Sequence, residues 1–560
     1  MQNRKHALRF SVVTLTLIVF LFIFSIRLIL IQVFRSSDLT LLAERQHDYF
    51  VELEPVRGTV YDRNLQPLAF NVPVYSVFAN PKSMSEEDKR EAISHLSQLL
   101  ELSPQYIAAR LNRDKYFVWI KRKLPIDLSD EVKKLNLTGI HFQRESKRYY
   151  PNGSLAAHII GFAGTDNEGL EGLELNYNKY LKGKEGKMQV LRDARQRNLQ
   201  VGESFVPPQD GFHLVLTIDE TIQYIAERSL DQAYQKHNAK AASIIVMDVK
   251  TGEILALANR PTYNLDDVSK SDLESRTNRA ISYVYEPGSV FKVITAAAAL
   301  EEDLFNEKDK VFCENGNYRV ANHILTDHHP YGTLSFREVF IFSSNIGVAK
   351  IAQKIGGKLV YKYGRRFRFG ISTGIDLKGE VNGWLKEPSQ WSKTTIGAIP
   401  IGYEVTVTPI QLVSAISSIA NQGVYMRPFV VKYVKDNQDQ VIKSYEPQVV
   451  DRVISAGTAE RLKDILKGVV ESGTGKRAQI NDVEVAGKTG TARKVIDGQY
   501  SKGKYYASFM GFAPANNPRL AMVVVVDEPH PSYFGGTVSA PVFQEVMTNA
   551  LKYLKVTDQE

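Results

Sequence analysis

The feature that most constrains this 560-residue chain is an apolar segment near its N-terminus. No charged residue occurs from Phe10 to Ile26, and beyond Arg27 the run LILIQVF continues to Phe34. A segment of this length is about what a helix needs to cross a bilayer. We therefore expect residues 10–34 to form a single transmembrane helix, so that the rest of the chain works beside a membrane.

Basic residues before the apolar segment predict its orientation. Arg4, Lys5 and Arg9 precede it, and such residues favour the cytoplasmic side. Residues 1–9 are then a cytoplasmic tail, and everything after Phe34 is extracytoplasmic. A cleavable signal peptide is the alternative, but it would have a shorter apolar core and small residues at its cleavage site, whereas residues 28–35 are all bulky. An uncleaved anchor is favoured.

Composition indicates a folded protein with a moderately basic surface. With 43% hydrophobic and 24% charged residues, most of the chain can bury a core. The net charge of +8 suits an anionic surface, an anionic polymer or nucleic acid, or it reflects a solvated surface alone. Lysine and arginine are scattered, and no run of them is interleaved with aromatic residues as in single-strand binders. A solvated surface is favoured, and we expect no nucleic-acid partner.

Cysteine and histidine usage argues against metal chemistry. Cys313 is the only cysteine, so the chain has no intramolecular disulfide and no cysteine-based metal site. A small buried apolar residue is the expected role for it. His328 and His329 follow Asp327, but adjacent side chains in a loop rarely converge on one ion without further ligands. We expect no metal and no cofactor.

A chain of this length predicts more than one domain. Residues 35–215 mix strand-like runs, at Val74–Phe78 and Tyr116–Ile120, with helical spacing over Glu86–Leu100. This part is predicted to be an irregular, extended α+β module. Within it, the Gly-, Lys-, Arg- and Gln-rich stretch from Lys182 to Gly202 predicts an exposed loop or ribbon.

Residues 216–560 have a different pattern. A strand from Leu216 leads to Asp219, a good N-cap for a following helix. Two strands, Ser243–Val249 and Glu253–Asn259, flank Lys250-Thr251-Gly252 and predict a hairpin. Further core strands are predicted at residues 507–514 and 520–528. Strands near both ends with helices between them indicate one sheet packed with helices, an α+β class.

The first chemical motif is Ser289 with Lys292, in YEPGSVFKVITAAAAL. Pro287 and Gly288 suit a helix start, and residues three apart on a helix share a face. A serine hydroxyl becomes nucleophilic when a nearby base removes its proton. The pair alone is weak, because Ser501 and Lys504 repeat the spacing in a stretch that we interpret as a surface turn.

Two further motifs follow in the chain. Ser343-Ser344-Asn345 could relay a proton and position a substrate amide, or could simply be the polar start of an apolar helix. Lys488-Thr489-Gly490-Thr491 follows VEVAG, on or beside a strand, where a cation and hydroxyls can meet a carboxylate and glycine permits close approach. Lys-Thr-Gly also occurs at Lys250 to Gly252, in the expected hairpin turn.

Together the motifs are specific. Ser-x-x-Lys, Ser-x-Asn and Lys-Thr-Gly in this order are typical of penicillin-binding proteins and class A β-lactamases. The segments around Ser289, Ser343 and Lys488 resemble those of class B penicillin-binding proteins. Nearly the whole chain takes part in the resemblance, because residues of the first half are similar to that family's pedestal motifs, namely Arg57-Gly58, Asp62-Arg63, Arg148–Gly153 and Gly169–Glu174. There we expect ion pairs and turns, and no chemistry.

The resemblance implies a fold. It would consist of a single transmembrane helix, an elongated pedestal of the dimerisation type over residues 35–215, and a penicillin-binding transpeptidase domain over residues 216–560. The last would be a β-lactamase-like antiparallel sheet packed with helices.

The resemblance also implies a reaction. Ser289 would attack the penultimate D-alanine of a peptidoglycan stem peptide, release the last D-alanine and hold an acyl-enzyme, which an amine of a neighbouring stem peptide resolves into a cross-link. β-Lactams would acylate the same serine.

Roles for the other motif residues follow from the resemblance. Lys292 would be the base, and both desolvation and the charge of Lys488 would lower its pKa. Ser343 would pass protons to the leaving amine, and Asn345 would orient Lys292 and the substrate. Thr489 and Thr491, flanking Gly490, would bind the terminal carboxylate. The backbone N–H groups of Ser289 and Thr491 would form the oxyanion hole.

Several functions remain open. YEPGSVFK and GYEVTVTPIQL (402–412) are more similar to the division-specific, septal branch than to the elongation branch. A β-lactamase would share the motifs but hydrolyse its acyl-enzyme, and a membrane-bound β-lactam sensor or an inactive scaffold could keep them. By family analogy the partners are a membrane-embedded glycan polymerase of the SEDS family and other division proteins, at the septum of a bacterial cytoplasmic membrane.

Overall fold

The computed structural model describes residues 2–37, 48–192 and 198–556. Contacts divide these residues into two compact units. The first comprises the residues up to Val56 with Gly183–Asp210, and the second comprises Arg57–Lys182 with the chain from Gly211 onwards. Residues 38–47 of the predicted pedestal and residues 193–197 of the predicted ribbon lie outside the described residues.

The longer helices, numbered in chain order, are α1 Gln2–Ile29, α2 Glu86–Leu99, α3 Pro104–Leu111, α4 Ile126–Lys134, α5 Glu220–Lys236, α6 Lys292–Glu301, α7 Phe336–Ile341, α8 Asn345–Ile355, α9 Gly357–Arg366, α10 Pro409–Ala420, α11 Ala456–Glu471 and α12 Gly535–Tyr553. Shorter helices lie at Ala157–Ile160, Gly172–Asn176, Asn178–Leu181, Leu273–Arg276, Arg279–Ser282 and Thr395–Ala398.

The strands of the first half are β1 Asp48–Leu53, β2 Val60–Tyr61, β3 Pro67–Ala79, β4 Val118–Leu124, β5 Ile140–Tyr149, β6 Gly186–Arg192, β7 Asn198–Val206 and β8 His213–Leu216. Those of the second half are β9 Ala241–Asp248, β10 Ile254–Arg260, β11 Lys310–Phe312, β12 Asn317–Val320, β13 His323–Thr326, β14 Thr333–Ser335, β15 Trp384–Leu385, β16 Val405–Thr406, β17 Val424–Met426, β18 Val431–Lys435, β19 Val441–Ser444, β20 Val449–Arg452, β21 Ala486–Ile496, β22 Gln499–Ala513 and β23 Leu520–Asp527.

The first unit holds the N-terminal helix and a small sheet. Helix α1 continues into a π-helical turn at Leu30–Phe34, and the stretch from His6 to Phe34 is long and apolar enough to cross a membrane. The predicted helix at residues 10–34 is therefore present. Strands β1, β6 and β7 form an antiparallel sheet in the order β1-β6-β7. Within the predicted loop or ribbon, residues 186–192 and 198–202 therefore lie in paired strands.

The second unit begins with a seven-stranded sheet. Its order is β19-β18-β8-β2-β3-β4, with β5 paired to β3, and β2 runs parallel to β8. Helices α2 to α4 and strands β3 to β5 contribute to a separate apolar core. The predicted strand at Val74–Phe78 and the predicted helix from Glu86 are confirmed, whereas the strand predicted at Tyr116 begins at Val118.

Buried ion pairs hold the pedestal motifs together. Glu174 accepts from Arg57, with 2.6 Å between Nη2 and Oε2, and from Arg148, with 2.6 Å between Nε and Oε1. All three side chains are buried. Asp62 accepts a hydrogen bond from the N–H of Glu220 at 3.2 Å, at the start of α5. The interpretation of these motifs as structural ion pairs and turns is confirmed.

A five-stranded antiparallel sheet, in the order β10-β9-β23-β22-β21, forms the centre of the second half. Alternate residues of β9 enter two cores: Ile244 and Val246 pack with α5 and α12, and Ile245 and Met247 pack with α6 and α10. The predicted hairpin of β9 and β10 is confirmed, as is the N-cap at Asp219. The sheet has helices on both faces, the α+β arrangement that the sequence predicts.

Candidate active site

Ser289 lies on a tight turn at the start of α6. Residues Gly288–Phe291 form a 3-10 helix, and the α-helix begins only at Lys292. The helix start predicted at Pro287–Gly288 is therefore correct in position, but its first turn is 3-10 rather than α. Residues three apart eclipse each other in a 3-10 helix, so the half-buried Ser289 and Lys292 still share a face.

Lys292 is fully buried and makes three hydrogen bonds. Its Nζ donates to the carbonyl oxygen of Ser343 at 2.6 Å, to Asn345 Oδ1 at 2.7 Å and to Ser343 Oγ at 3.1 Å. Burial lowers the pKa of Lys292 to about 7, and the charge of Asp327 opposes that shift. Desolvation lowers this pKa as expected, whereas the charge of Lys488, the other expected cause, does not contribute to the shift of Lys292.

The Ser343 hydroxyl, in the second motif, contacts the lysines of the first and third motifs. Lys488 Nζ donates to Ser343 Oγ at 3.0 Å, so the two amines approach one oxygen. Ser343 has a φ of +59°, a left-handed conformation that costs free energy in a residue other than glycine. Such strain is common at functional sites, and nothing in the sequence of the motif predicts it.

Asp327 anchors the second motif and was not among the predicted site residues. Its Oδ2 accepts from Ser344 Oγ at 2.6 Å, and its Oδ1 accepts from the N–H groups of Asn345 at 2.5 Å and Ile346 at 3.2 Å. Ser344 is also the N-cap of α8, accepting from Gly347 N–H. The motif is therefore a helix start as well as a pair of polar groups near Lys292. No local sequence signal marks this role, because Asp327 is 17 residues before Ser344 in the chain and meets the start of α8 only in the fold.

Lys488 lies on β21, as predicted, and is fully buried. Burial and the positive charge of Lys292 lower the pKa of Lys488. The hydroxyls of Thr489 and Thr474 share a hydrogen bond of 2.6 Å, and Thr491 Oγ1 accepts from the N–H of Gly535 at 3.1 Å. Thr474 and Gly535 were not predicted, although Thr474 stands in a short Ser-Gly-Thr-Gly stretch typical of a loop.

Two glycines bring the serine turn against β21. A Cβ on Gly288, whose φ is +58°, would lie 2.8 Å from the carbonyl oxygen of Thr491. A Cβ on Gly490 would lie 2.3 Å from Ser508 Oγ and 3.0 Å from the carbonyl oxygen of Pro287. Close protein packing thus requires both glycines, and the turn that carries Ser289 adjoins the strand that carries Lys488.

The second copies of the Ser-x-x-Lys and Lys-Thr-Gly motifs lie outside the candidate site. Ser501 and Lys504 lie in the exposed first half of strand β22. The prediction that the pair lies at the surface is confirmed, and the prediction of a turn is wrong. Ser501 Oγ accepts from the N–H of Lys504 at 3.2 Å, and the pair has no helix to place it. Lys250 to Gly252 form the turn between β9 and β10, as expected.

Within the described residues, no three or more of His, Cys, Asp and Glu are grouped as a metal site would require. His328 instead contacts the ring of Phe534, and His329 contacts that of Tyr331. Cys313 is buried, as the sequence predicts.

Two family models match the chain. The penicillin-binding protein transpeptidase domain matches residues 242–548, and the penicillin-binding protein dimerisation domain matches residues 52–216. The chain is a class B penicillin-binding protein.

Curated relatives resemble this class B penicillin-binding protein along most of their length. Stage V sporulation protein D of Bacillus subtilis is 35% identical over 548 residues, which cover 96% of this chain and 84% of that protein. Peptidoglycan D,D-transpeptidase FtsI of Escherichia coli K12 is 34% identical over 511 residues, which cover 89% and 84%. The probable peptidoglycan D,D-transpeptidase PenA of Neisseria gonorrhoeae is 35% identical, with 90% and 86% covered.

Solved structures share the fold of this class B penicillin-binding protein. Penicillin-binding protein 2X of Streptococcus thermophilus has a TM-score of 0.74 at 26% identity, covering 90% of this chain and 80% of that one. Penicillin-binding protein 3 of Mycobacterium tuberculosis, complexed with aztreonam, has a TM-score of 0.70 at 26% identity, covering 90% and 98%.

Proposed function

We propose that the protein is a peptidoglycan D,D-transpeptidase that works through a serine acyl-enzyme. The observation that carries the proposal is the meeting of Lys292 and Lys488 at Ser343 Oγ, beside the turn that bears Ser289. A buried amine with a pKa near neutrality is a base that functions at physiological pH.

The first half-reaction starts with the Ser289 hydroxyl. Lys292 removes its proton while Oγ attacks the carbonyl of the penultimate D-alanine, and Ser343 passes a proton to the leaving D-alanine. Asn345 holds the Lys292 amine through the 2.7 Å hydrogen bond. The backbone N–H groups of Ser289 and Thr491 stabilise the oxyanion.

Lys488, Thr489 and Thr491 bind the terminal carboxylate of the stem peptide. Thr491 can donate to this carboxylate while its oxygen still accepts from the N–H of Gly535, and Thr489 can donate to it when Thr474 is the donor in their shared hydrogen bond. Its negative charge would also favour the protonated form of Lys488. β-Lactams, which carry a carboxylate beside a reactive carbonyl, acylate the same serine.

The cellular setting is part of the proposal. Residues 1–9 are cytoplasmic, residues 10–34 span the membrane once, residues 35–215 form the pedestal and residues 216–560 the transpeptidase domain. The name of the FtsI relative, with the YEPGSVFK and GYEVTVTPIQL segments, favours a role in septal synthesis, and the sporulation relative keeps other class B roles open. A SEDS-family glycan polymerase is the expected membrane partner.

Labelled penicillin tests the proposal. The full chain in detergent micelles should form a covalent adduct that persists for many minutes, and Ser289→Ala should form none while keeping the melting temperature of the parent. Ser501→Ala removes the serine of the second Ser-x-x-Lys and should label like the parent. Labelling of Ser289→Ala, or rapid release of penicilloate by the parent, would contradict a transpeptidase acting through Ser289.

A further inference from the structure

His328 lies between the two sides of the candidate site. It directly follows Asp327, which holds the Ser343-Ser344-Asn345 segment. Its ring meets the ring of Phe534 edge-on, with 5.7 Å between centroids. Phe534 precedes Gly535, whose N–H donates to Thr491 on β21. His328 therefore links the Ser-x-Asn side to the Lys-Thr-Gly side.

The environment of His328 keeps its imidazole uncharged at neutral pH and open to solvent. The residue is exposed. Partial desolvation of the ring by the surrounding protein lowers the pKa of His328. The positive charges of Lys292 and His329 lower this pKa further, and the carboxylate of Asp327 raises it. Phe534, the side chain packed against the ring, carries no charge. An uncharged imidazole has a free lone pair and can accept a proton from a solvent-borne group.

The second half-reaction needs such an acceptor. An amine of a stem peptide arrives as an ammonium ion at neutral pH. Its conversion into an amide releases two protons, and only one is needed to restore the Ser289 hydroxyl. Lys292 and Ser343 can return that proton, since Lys292 directly follows the serine turn and its Nζ donates to Ser343 Oγ at 3.1 Å. The other must leave before attack, because an ammonium nitrogen has no lone pair.

We propose that His328 is the general base that deprotonates the acyl-acceptor amine, an inference that rests on the proposed transpeptidase function. The imidazole takes one proton from the ammonium group. The free amine then attacks the acyl carbonyl, the nitrogen–carbon bond forms, and the bond between the carbonyl carbon and Ser289 Oγ breaks. The second amine proton passes through Ser343 and Lys292 to Ser289 Oγ, and His328 releases its proton to solvent.

The test compares His328→Gln with the matched control His329→Gln, using the full chain in detergent micelles. Three rates are measured: acylation by labelled penicillin, transfer from a donor peptide ending in D-alanyl-D-alanine to D-alanine, and transfer to hydroxylamine. The amine of D-alanine is protonated at neutral pH, whereas hydroxylamine is mostly uncharged there. Acylation also reports that the variant is folded.

We expect His328→Gln to acylate within about twofold of the parent, to lose about 100-fold in transfer to D-alanine and to keep most of the transfer to hydroxylamine. The rise caused by Lys292 near pH 7 should appear in acylation and in transfer alike, in the parent and in His328→Gln. Transfer to D-alanine by the parent should show an additional rise from the titration of the imidazole, and only this addition should be lost in His328→Gln. His329→Gln should behave as the parent in all three assays.

Equal losses with both acceptors, an unchanged rate with D-alanine or a matching loss of acylation would overturn the role of His328. A parent that fails to acylate would instead overturn the proposed function, so the two failures are distinguishable.

Discussion

Two buried lysines share one serine hydroxyl in this site. Both side chains are fully buried, and burial disfavours the charged form of each. Three hydrogen-bond acceptors within 3.1 Å fix the Lys292 amine in place, and burial is what lowers its pKa. This combination is what a base beside a hydroxyl nucleophile requires.

The lowered pKa of Lys292 predicts a pH dependence. The amine is the active form, and its fraction increases as pH rises through about 7. The rate of penicillin acylation should therefore rise with pH and reach half its plateau near pH 7. Stopped-flow acylation between pH 5 and pH 9 measures this, and a flat profile would contradict a titrating base.

Removal of the amine should be far more damaging than removal of an exposed lysine. Lys292→Ala should lower the acylation rate by about 100-fold to 10,000-fold, because Ser289 loses its base. Lys504→Ala, the lysine of the second Ser-x-x-Lys, should leave the rate unchanged. Comparable rates for the two variants would refute the assignment of Lys292.

Asp327 should matter although it lies outside the three motifs. Asp327→Asn keeps the size of the side chain but removes the charge and one acceptor from Ser344 and the α8 N-terminus. Asn345 should then hold Lys292 less firmly, and we expect about a tenfold loss in acylation rate with a lower melting temperature. A variant with parental acylation would show that Asp327 serves stability alone.

At the scale of elements, the serine turn depends on its glycine. Gly288→Ala should abolish acylation, because φ is +58° and the new Cβ would lie 2.8 Å from the carbonyl oxygen of Thr491. Gly503→Ala is the control, since that position has open space around it. Penicillin labelling measures both variants, and labelling of Gly288→Ala at the parental rate would mean that the turn tolerates a side chain.

The sequence predicts these elements unevenly. The alanine run Ala296–Ala299 predicts helix α6, and the helical spacing of residues 86–100 predicts helix α2. The β-branched runs of β9 and β23 predict strands. The order of the three motifs resembles that of class B penicillin-binding proteins, and this resemblance predicts that Lys292, Ser343, Asn345 and Lys488 lie together. The sequence does not predict the left-handed Ser343, the 3-10 turn at Ser289 or the hydroxyl of Thr474, because these depend on contacts between segments far apart in the chain.

At the scale of the molecule, one sheet crosses the predicted domain boundary at residue 215. Strand β8 pairs with β2 on one side and with β18 on the other. The boundary stays a prediction, and the sheet gives a reason to expect that the pedestal residues 57–182 unfold together with the second half. Sequence patterns identify strands but not their partners, and this pairing was not predicted.

Glu174 provides a test of that cohesion. Glu174→Gln would leave Arg57 and Arg148 buried without their carboxylate, and breaking a buried ion pair costs about 3–5 kcal/mol. Thermal unfolding in micelles should show a lower melting temperature in a single transition. Glu91→Gln, on the exposed face of α2, should not change it. An unaltered melting temperature in Glu174→Gln would show that the pair adds little.

Cys313 has a practical consequence. Its thiol lies under the start of α8, near Ser344 Oγ at 3.4 Å, and burial raises the pKa of the thiol. Reagents that react with thiolates should therefore modify Cys313 only slowly. Since the chain has no other cysteine, a single cysteine introduced at any exposed position should accept a fluorophore or spin label selectively, without prior removal of the native one.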